Sequence, residues 1–337
     1  MTAMALQQAT TQTHVGTISR TEDGEANMVC RITHMCDAVT SGFLVRRPLS
    51  KTCLRVMVSS MNSSLAFGSQ VLGINTLLTL CQKPRVLLQR PDDRVSSLLT
   101  PAHSIHKLLA INKRTGIEAR SAVQTFEDGI ASHKDPPSLA QLDQLFRTAG
   151  VDLTVQACLK ALGEAELSLA DITNTVAVTC TNQGNPGYDL LVHRQLGLPH
   201  AVERTLLHGV GCAGGLATMR IAAQMALGAT ARSRPARILV FACELCTPLV
   251  RTELAEAERS SAADVGIAAT LFSDAAAAFI LVNDLGRSSR PPIYQLLDTF
   301  CETLPDTLSD MSFYFDSSGL CFSLLVSRPS RLTLPAL

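Results

Sequence analysis

A cysteine stands among glycines in the segment His208–Gly215, where a β-rich run gives way to a helical run. The residues Val202–His208 are typical of a strand, and Leu216–Leu227 are typical of an alanine-rich helix. Cys212 is therefore predicted to lie at the N-terminus of a helix, where unpaired N–H groups and the helix dipole stabilise a thiolate. A tight turn that holds a small buried apolar cysteine is the competing interpretation.

The composition is typical of a well-buried globular protein, with 46% hydrophobic and 17% charged residues in 337. Lys+Arg and Asp+Glu balance at 29 each, which gives no reason to expect a nucleic-acid partner or an anionic membrane surface. We expect no membrane span and no signal peptide, because the chain has no run of 18 apolar residues and no basic segment followed by an apolar core near its N-terminus. The 11 cysteines are scattered, without paired CxxC motifs or His/Cys ligand spacing, which indicates reduced thiols in a cytoplasmic protein and no metal site.

Strand and helix patterns alternate in the second part of the chain. The predicted strands are Thr173–Cys180, Val202–His208, Arg237–Cys243 and Ala275–Asn283. The predicted helices are Ala140–Thr148, Asp152–Leu162, Asp189–Leu196 and Leu216–Leu227, the last ended by Gly228. This order predicts an α/β layered domain with a central sheet, helices on both faces and ligands at the strand ends.

Two chemistries are compatible with the glycines around Cys212. The segment Gly209–Gly214 reads G-x-G-x-x-G between a strand and a helix, as in dinucleotide-binding proteins. However, Glu244 lies about thirty residues beyond the last glycine, where about twenty is usual, and the preceding strand carries Glu203 and Arg204. The second chemistry is covalent catalysis, in which a Cys212 thiolate attacks a thioester and N–H groups of the turn hold the oxyanion.

Four segments together resemble the chalcone/stilbene synthase family, the type III polyketide synthases, and most of all its fungal branch. They are Lys113–Ile117, Cys180–Thr181 with the turn that follows to Gly187, Val210–Gly215, and Phe272–Ala277. The segments occur in the family's order, and the resemblance runs from about residue 65 to about residue 320, most clearly over 106–285.

The resemblance implies a layered α/β/α thiolase-like fold, a homodimer and an acyltransferase of polyketide biosynthesis. Such an enzyme condenses a starter acyl-CoA with malonyl-CoA by decarboxylative Claisen condensation and uses both thioesters as substrates without a further cofactor. Cys212 would be the acylated nucleophile, and Phe272 would be the gatekeeper between the CoA tunnel and the condensation cavity. Thr181, Gly211 and Gly214 would contact substrate.

Cations upstream of these motifs are candidate contacts for the CoA phosphates. They are Lys107, Lys113 and Arg114. A solvated cationic face is the simpler interpretation of such a cluster.

The chain departs from the family beyond Cys212. The family uses a histidine and an asparagine of its second half, but all eight histidines of this chain precede Cys212. We therefore expect a poorly ordered leader over 1–64, an N-terminal thiolase-type domain over 65–290, and over 291–337 the start of a largely missing C-terminal half followed by a divergent tail. The alternatives are a truncated non-catalytic member, either a pseudoenzyme or an acyl-CoA-binding dimer partner, and a dinucleotide-binding α/β protein.

Overall fold

The structure is a computed structural model that describes residues 121–124, 135–259 and 271–303, residues 114 and 305, and six strand segments outside these ranges. Nine of the strands in the described part of the chain form one sheet. They are β1 Ile18–Arg20, β2 Ala26–His34, β3 Val39–Arg46, β4 Leu54–Val58, β5 Asn174–Val178, β6 Glu203–Leu207, β7 Arg237–Glu244, β8 Ala275–Val282 and β9 Tyr294–Thr303. A separate hairpin joins β10 Met311–Asp316 to β11 Gly319–Leu324.

The described helices lie mostly between the later strands. They are α1 Leu139–Leu145, which continues through a π-helical turn at Phe146–Gly150 into α2 Val151–Ala165, then α3 Tyr188–Leu196, α4 Gly214–Ala231 and α5 Leu249–Arg259. Ser138 and Gln141 form a capping box at the start of α1, and Gly197 ends α3 with φ 71°.

The sheet is mixed, with the order β1-β2-β3-β9-β4-β8-β7-β5-β6. Strand β5 runs parallel to both β6 and β7, whereas β8 runs antiparallel to β7. The carboxyl ends of β5, β6 and β7 and the amino end of β8 therefore lie at one edge of the sheet. Strand β6 is at the end of the strand order, which explains why Glu203 and Arg204 can be exposed.

Helices cover the central strands on both faces, as the sequence predicts. Alternate residues of β7 point to opposite sides: Leu239 and Phe241 pack in the cluster that contains α2 and α3, and Ile238 and Val240 pack in the cluster that contains α4. This confirms that the apolar run Arg237–Cys243 is a strand buried on both faces.

Tyr188 joins three elements of the larger cluster. Its ring makes edge-to-face contacts with Phe146, at a centroid distance of 5.4 Å, and with Phe241, at 5.9 Å. Its hydroxyl donates to the backbone carbonyl of Val178 at 2.8 Å. The end of β5 is thus held by a fully buried side chain from the first turn of α3.

Helix α4 differs in two respects from the sequence prediction. It passes through Gly228 and ends at Ala231. Leu216 and Met219 are buried as expected, but Leu227, assigned to the same face, is 57% exposed. The reason is that the buried face of α4 is completed by small residues, Ala222, Ala223 and Ala226, against the sheet.

Four described strands, β1 to β4, lie within the segment 1–64 that the sequence analysis expects to be a poorly ordered leader. In β2 the apolar residues Met28, Cys30 and Ile32 recur at every second position, but the apolar Val29 between them obscures the period-two pattern. Strand β9 lies between β3 and β4, so the chain on both sides of residue 290 contributes to one sheet. The domain boundaries at 64 and 290 stay predictions.

None of the helices that the structure describes has the length and apolarity needed to cross a membrane.

We expect Tyr188→Phe to lower the free energy of unfolding by about 1–2 kcal/mol, because it removes the donor that the buried Val178 carbonyl uses. Urea denaturation of the full chain measures the change. Tyr294→Phe, on a half-buried tyrosine of β9, is the control. An equal loss in both variants would mean that the Tyr188 hydroxyl has no special role.

Candidate functional site

Four chain segments meet at the edge where β5, β6 and β7 end and β8 begins. They are the turn 179–187 after β5, the turn 208–213 after β6, the residues 245–248 after β7, and Phe272–Asp274 before β8. The predicted site residues Thr181, Gly211, Cys212, Gly214 and Phe272 all belong to this edge or to the first residue of α4. Ligands of α/β proteins bind outside such strand ends.

Cys212 lies in a 3-10 turn, Gly211–Ala213, that leads directly into α4, and its side chain is exposed. The turn requires glycine at Gly209 and Gly211, whose φ angles are 71° and 47°. No side chain caps α4, and its first turn contains no acidic residue. The positive end of the helix dipole therefore faces the Cys212 turn, with no acidic side chain in the first turn of α4 itself.

The turn uses two of its own N–H groups internally. Ala213 N donates to the Val210 carbonyl at 3.1 Å, and Gly214 N donates to the Gly211 carbonyl. These two N–H groups are therefore not oxyanion donors. The expectation that N–H groups of the turn hold the oxyanion thus excludes Ala213 and Gly214.

Gly214 allows α4 to begin directly against β5. A Cβ at this position would lie 2.6 Å from Cγ2 and 3.1 Å from Cγ1 of Val178, the last residue of β5. The absence of a side chain thus brings the start of α4 against the strand that leads into the Thr181 turn.

Three other cysteines near this part of the sheet are buried. Burial raises the pKa of Cys158 and Cys243 far above the usual thiol value, and that of Cys246 likewise. Cys243 also donates to the Gly150 carbonyl at 3.5 Å. Cys243 and Cys246 have the CxxC spacing that sequence reasoning passed over, but burial keeps both as inert thiols. The exposed Cys212 therefore differs from them in accessibility.

Thr181 is held by the carboxylate of Glu244, the last residue of β7. Oε1 of Glu244 accepts from Cys180 N at 2.9 Å, and Oε2 accepts from Thr181 N at 3.0 Å and Thr181 Oγ1 at 2.7 Å. Thr179 Oγ1 donates to the same Oε2 at 3.2 Å. The buried Thr181 is thus a fixed part of the turn after β5.

Two influences on the Glu244 carboxyl oppose each other. Its burial is the larger and raises its pKa above the usual glutamate value, whereas the donors from Cys180 and Thr181 lower it. Because both oxygens of Glu244 are occupied, this residue does not offer a carboxylate to a ribose. The strand before the glycine turn, β6, is also an edge strand of the described sheet. The glycine turn therefore differs from a dinucleotide-binding turn both in its acidic residue and in the position of its strand.

Phe272 is half-buried and lies two residues before the buried Asp274. The Oδ1 atom of Asp274 accepts from Cys246 N and Thr247 N, both at 2.7 Å, and Oδ2 accepts from Val123 N at 2.9 Å and Thr247 Oγ1 at 2.5 Å. Burial raises the pKa of Asp274, and these hydrogen bonds lower it. Asp274 thereby fixes the segment that carries Phe272.

The predicted CoA-binding cations are placed only in part. Lys107 and Lys113 lie outside the described residues, and Arg114 is a helical residue with an exposed side chain. Sequence reasoning missed the structural roles of Glu244 and Asp274, although an acid directly beside a buried apolar strand was a usable signal in each case.

Within the described part of the chain, no group of three or more His, Cys, Asp or Glu side chains is placed so that it could hold a metal ion.

Comparison with known proteins identifies the fold and the family. The family model described as "Chalcone and stilbene synthases, N-terminal domain" matches residues 105–285, more than half of the chain. The chain belongs to this family. The mixed layered structure is accordingly the thiolase-like fold of type III polyketide synthases.

Fungal proteins are among the relatives of this family member. A type III polyketide synthase of Penicillium soppii is 53% identical over 218 residues, which cover 64% of this chain and 55% of that protein. A type III pentaketide synthase from Neurospora crassa has a TM-score of 0.67 at 38% identity, with 82% of this chain and 66% of that chain covered. The structure of CsyB complexed with CoA-SH has a TM-score of 0.68 at 30% identity, with 81% and 66% covered. The chain spans about half the length of the Penicillium protein and of the acylalkylpyrone synthase CsyB of Aspergillus oryzae.

We expect Gly214→Ala to slow alkylation of Cys212 by iodoacetamide and to lower the free energy of unfolding by about 1–3 kcal/mol, because the new Cβ overlaps the stiff Val178 side chain. The matched control is Gly228→Ala in the same helix. Its Cβ would meet Arg232 Nη2 at an ordinary 3.4 Å and should stabilise α4 by about 0.5–1 kcal/mol. Unchanged alkylation and stability in Gly214→Ala would contradict the close packing.

We expect Glu244→Gln to alter how stability depends on pH. A carboxyl with a raised folded-state pKa contributes stability that is present below its unfolded pKa, near 4.5, and is lost as the pH rises through the folded value. The difference in unfolding free energy between the unmodified chain and Glu244→Gln should therefore decrease as the pH rises above about 4.5. Glu203→Gln, on the exposed start of β6, should show no such slope. A difference that grows with pH would show that the hydrogen bonds outweigh burial.

Proposed function

We propose that this protein is a type III polyketide synthase-type acyltransferase in which Cys212 accepts the acyl group of an acyl-CoA. The observation that carries the proposal is the exposed Cys212 in a turn with two positive-φ glycines, at a start of α4 that no side chain caps. Membership of the family supports the same chemistry.

The first half-reaction is a thioester exchange. The Sγ atom of Cys212 attacks the acyl carbonyl, a bond forms between Sγ and the acyl carbon, and the bond from that carbon to the CoA sulfur breaks. Free CoA leaves as the thiol after taking up a proton. Exchange between two thioesters is nearly isoenergetic, so the role of the turn is to present an accessible thiolate.

The second half-reaction extends the acyl group with malonyl-CoA. Loss of carbon dioxide from the malonyl group gives an enolate, whose carbon attacks the Cys212-bound carbonyl and releases the Cys212 thiolate. Acyl-CoA and malonyl-CoA are substrates here, and we propose no further cofactor and no metal. Repeated rounds would give a polyketide of secondary metabolism.

The remaining site residues are proposed to shape the acyl path. Thr181, held by Glu244, would form one wall. Gly211, in the turn itself, would let the acyl group approach Cys212 closely. Gly214 would contact substrate only through its backbone, because its side-chain position faces Val178. Phe272, on the segment fixed by Asp274, would be the gatekeeper. Lys107, Lys113 and Arg114 would meet the CoA phosphates.

We further propose a homodimer that works in the cytoplasm. The edge strand β6 offers unpaired backbone groups to a second copy. The buried thiols Cys158, Cys243 and Cys246 suit a reducing compartment.

The test is incubation of the full chain with radiolabelled acyl-CoA, followed by peptide mapping. We expect acyl label at Cys212 in the unmodified chain and its loss in Cys212→Ala. Cys301→Ala, which removes another exposed cysteine on β9, is the matched control and should keep the label.

Addition of malonyl-CoA separates the two half-reactions. Release of a pyrone or resorcinol would support the whole reaction. Label at Cys212 without product would support a non-catalytic member that binds acyl-CoA, and label that persists in Cys212→Ala would refute the assignment of the nucleophile.

A further inference from the structure

We propose that Asp143 and Arg147 position the turn 182–186, which follows Thr181 at the strand ends that carry the site, and thereby determine which acyl chains reach the Cys212 thiol. The inference rests on the acyl-transfer function proposed above and assigns a role to two residues that no motif includes. Both are positioning residues, because they act through the turn.

One ion pair holds both ends of this turn. Arg147 Nε donates to Asp143 Oδ1 at 3.1 Å and Oδ2 at 2.9 Å, while its Nη2 donates to the Pro186 carbonyl at 2.9 Å. At the other end, Asn182 Nδ2 donates to Asp143 Oδ1 at 2.8 Å. The guanidinium therefore links α1 and the following π-helical turn to the far end of the turn, and the carboxylate links them to its near end.

The turn itself fits against the pair. Gly184 N donates to Asn182 Oδ1 at 3.0 Å, which closes the turn locally. A Cβ on Gly184 would lie 2.5 Å from Arg147 Nη2 and 2.9 Å from Asp143 Oδ1. The backbone of the turn thus lies directly on the ion pair, so a change in the pair changes the position of the backbone.

The turn also bridges the two strands that lead to the site. It begins just after Thr181, and at its far end a Cβ on Gly187 would overlap the Leu206 side chain of β6. Asp189, at the start of α3, pairs with Arg204 of β6 at 3.3 Å. A shift of the turn therefore changes the space between the end of β5 and the end of β6, and the Cys212 turn follows β6 directly.

The pair is exposed enough to act on the position of the turn without being needed for the stability of the fold. The side chain of Asp143 is 42% exposed and that of Arg147 is 23% exposed. Ion pairs at such positions contribute little to global stability. Loss of the pair should therefore move the turn while the sheet and the Cys212 turn stay folded.

The experiment compares long and short reagents at one thiol. Cys212 labelling is measured by peptide mass spectrometry with short- and long-chain acyl-CoA, and separately with N-ethylmaleimide and a long-chain N-alkylmaleimide. We expect Arg147→Ala to change the long-to-short labelling ratio by about threefold, the size expected for such a pair, while labelling by N-ethylmaleimide stays within about twofold. Asp143→Asn keeps an acceptor for Asn182 but loses the charge, so it should give a smaller change in the same direction.

Arg287→Ala is the matched control, since Arg287 pairs with Asp284 at 2.6 Å on the same scale of sequence separation but away from the turn. It should leave every ratio unchanged.

Unchanged ratios in Arg147→Ala and Asp143→Asn, with or without a lower melting temperature, would overturn the inference. If the maleimide ratio changes but no acyl-CoA labels the unmodified chain, the proposed function fails and the positioning role stands. If Arg147→Ala does not fold, Asp143→Asn and Arg147→Lys decide the question, because lysine cannot reach both partners as one guanidinium does.

Discussion

The carboxylate of Glu244 extends the pairing between two parallel strands beyond the point where their ladder ends. Strands β5 and β7 pair as far as Val178 and Ala242. After that, the N–H groups of Cys180 and Thr181 bond to the Glu244 side chain in place of a neighbouring backbone. The turn after β5 is therefore held by the last residue of β7, and Thr181 is fixed to that strand through its N–H and hydroxyl groups.

On the other side of β7, the Asp274 carboxylate likewise accepts backbone N–H groups beyond the end of the strand pairing. The antiparallel pairing of β7 and β8 ends at Glu244 and Ala275, and Asp274 then accepts the N–H groups of Cys246 and Thr247. The buried Asp274 and the partly buried Glu244 thus continue the ladder at the edge that carries the site. Each is expensive to bury, and each is satisfied by several donors from backbone that would otherwise be unpaired.

The sequence predicts the local structure around Cys212 better than it predicts the strands β1–β4 and the Glu244 contacts. The strand, glycine turn and helix around Cys212 are local patterns with clear periods, and the structure reproduces them within a few residues. The β1–β4 segments were not recognised as strands, because their apolar pattern is irregular and their pairing is long-range. The Glu244 contacts could not be derived from sequence for the same reason, since they join residues more than sixty positions apart.

The three carboxylate networks, around Asp274, Glu244 and Asp143, differ in their exposure to solvent. Asp274 is buried and Glu244 is partly buried, and both hold backbone groups at the strand ends, where an unpaired donor is costly and a shift would disturb the sheet. Asp143 holds its turn from a position that water reaches, where a changed contact is replaced by solvent. The inner networks therefore fix where the Thr181 and Phe272 segments stand, whereas the outer one can vary without loss of the fold.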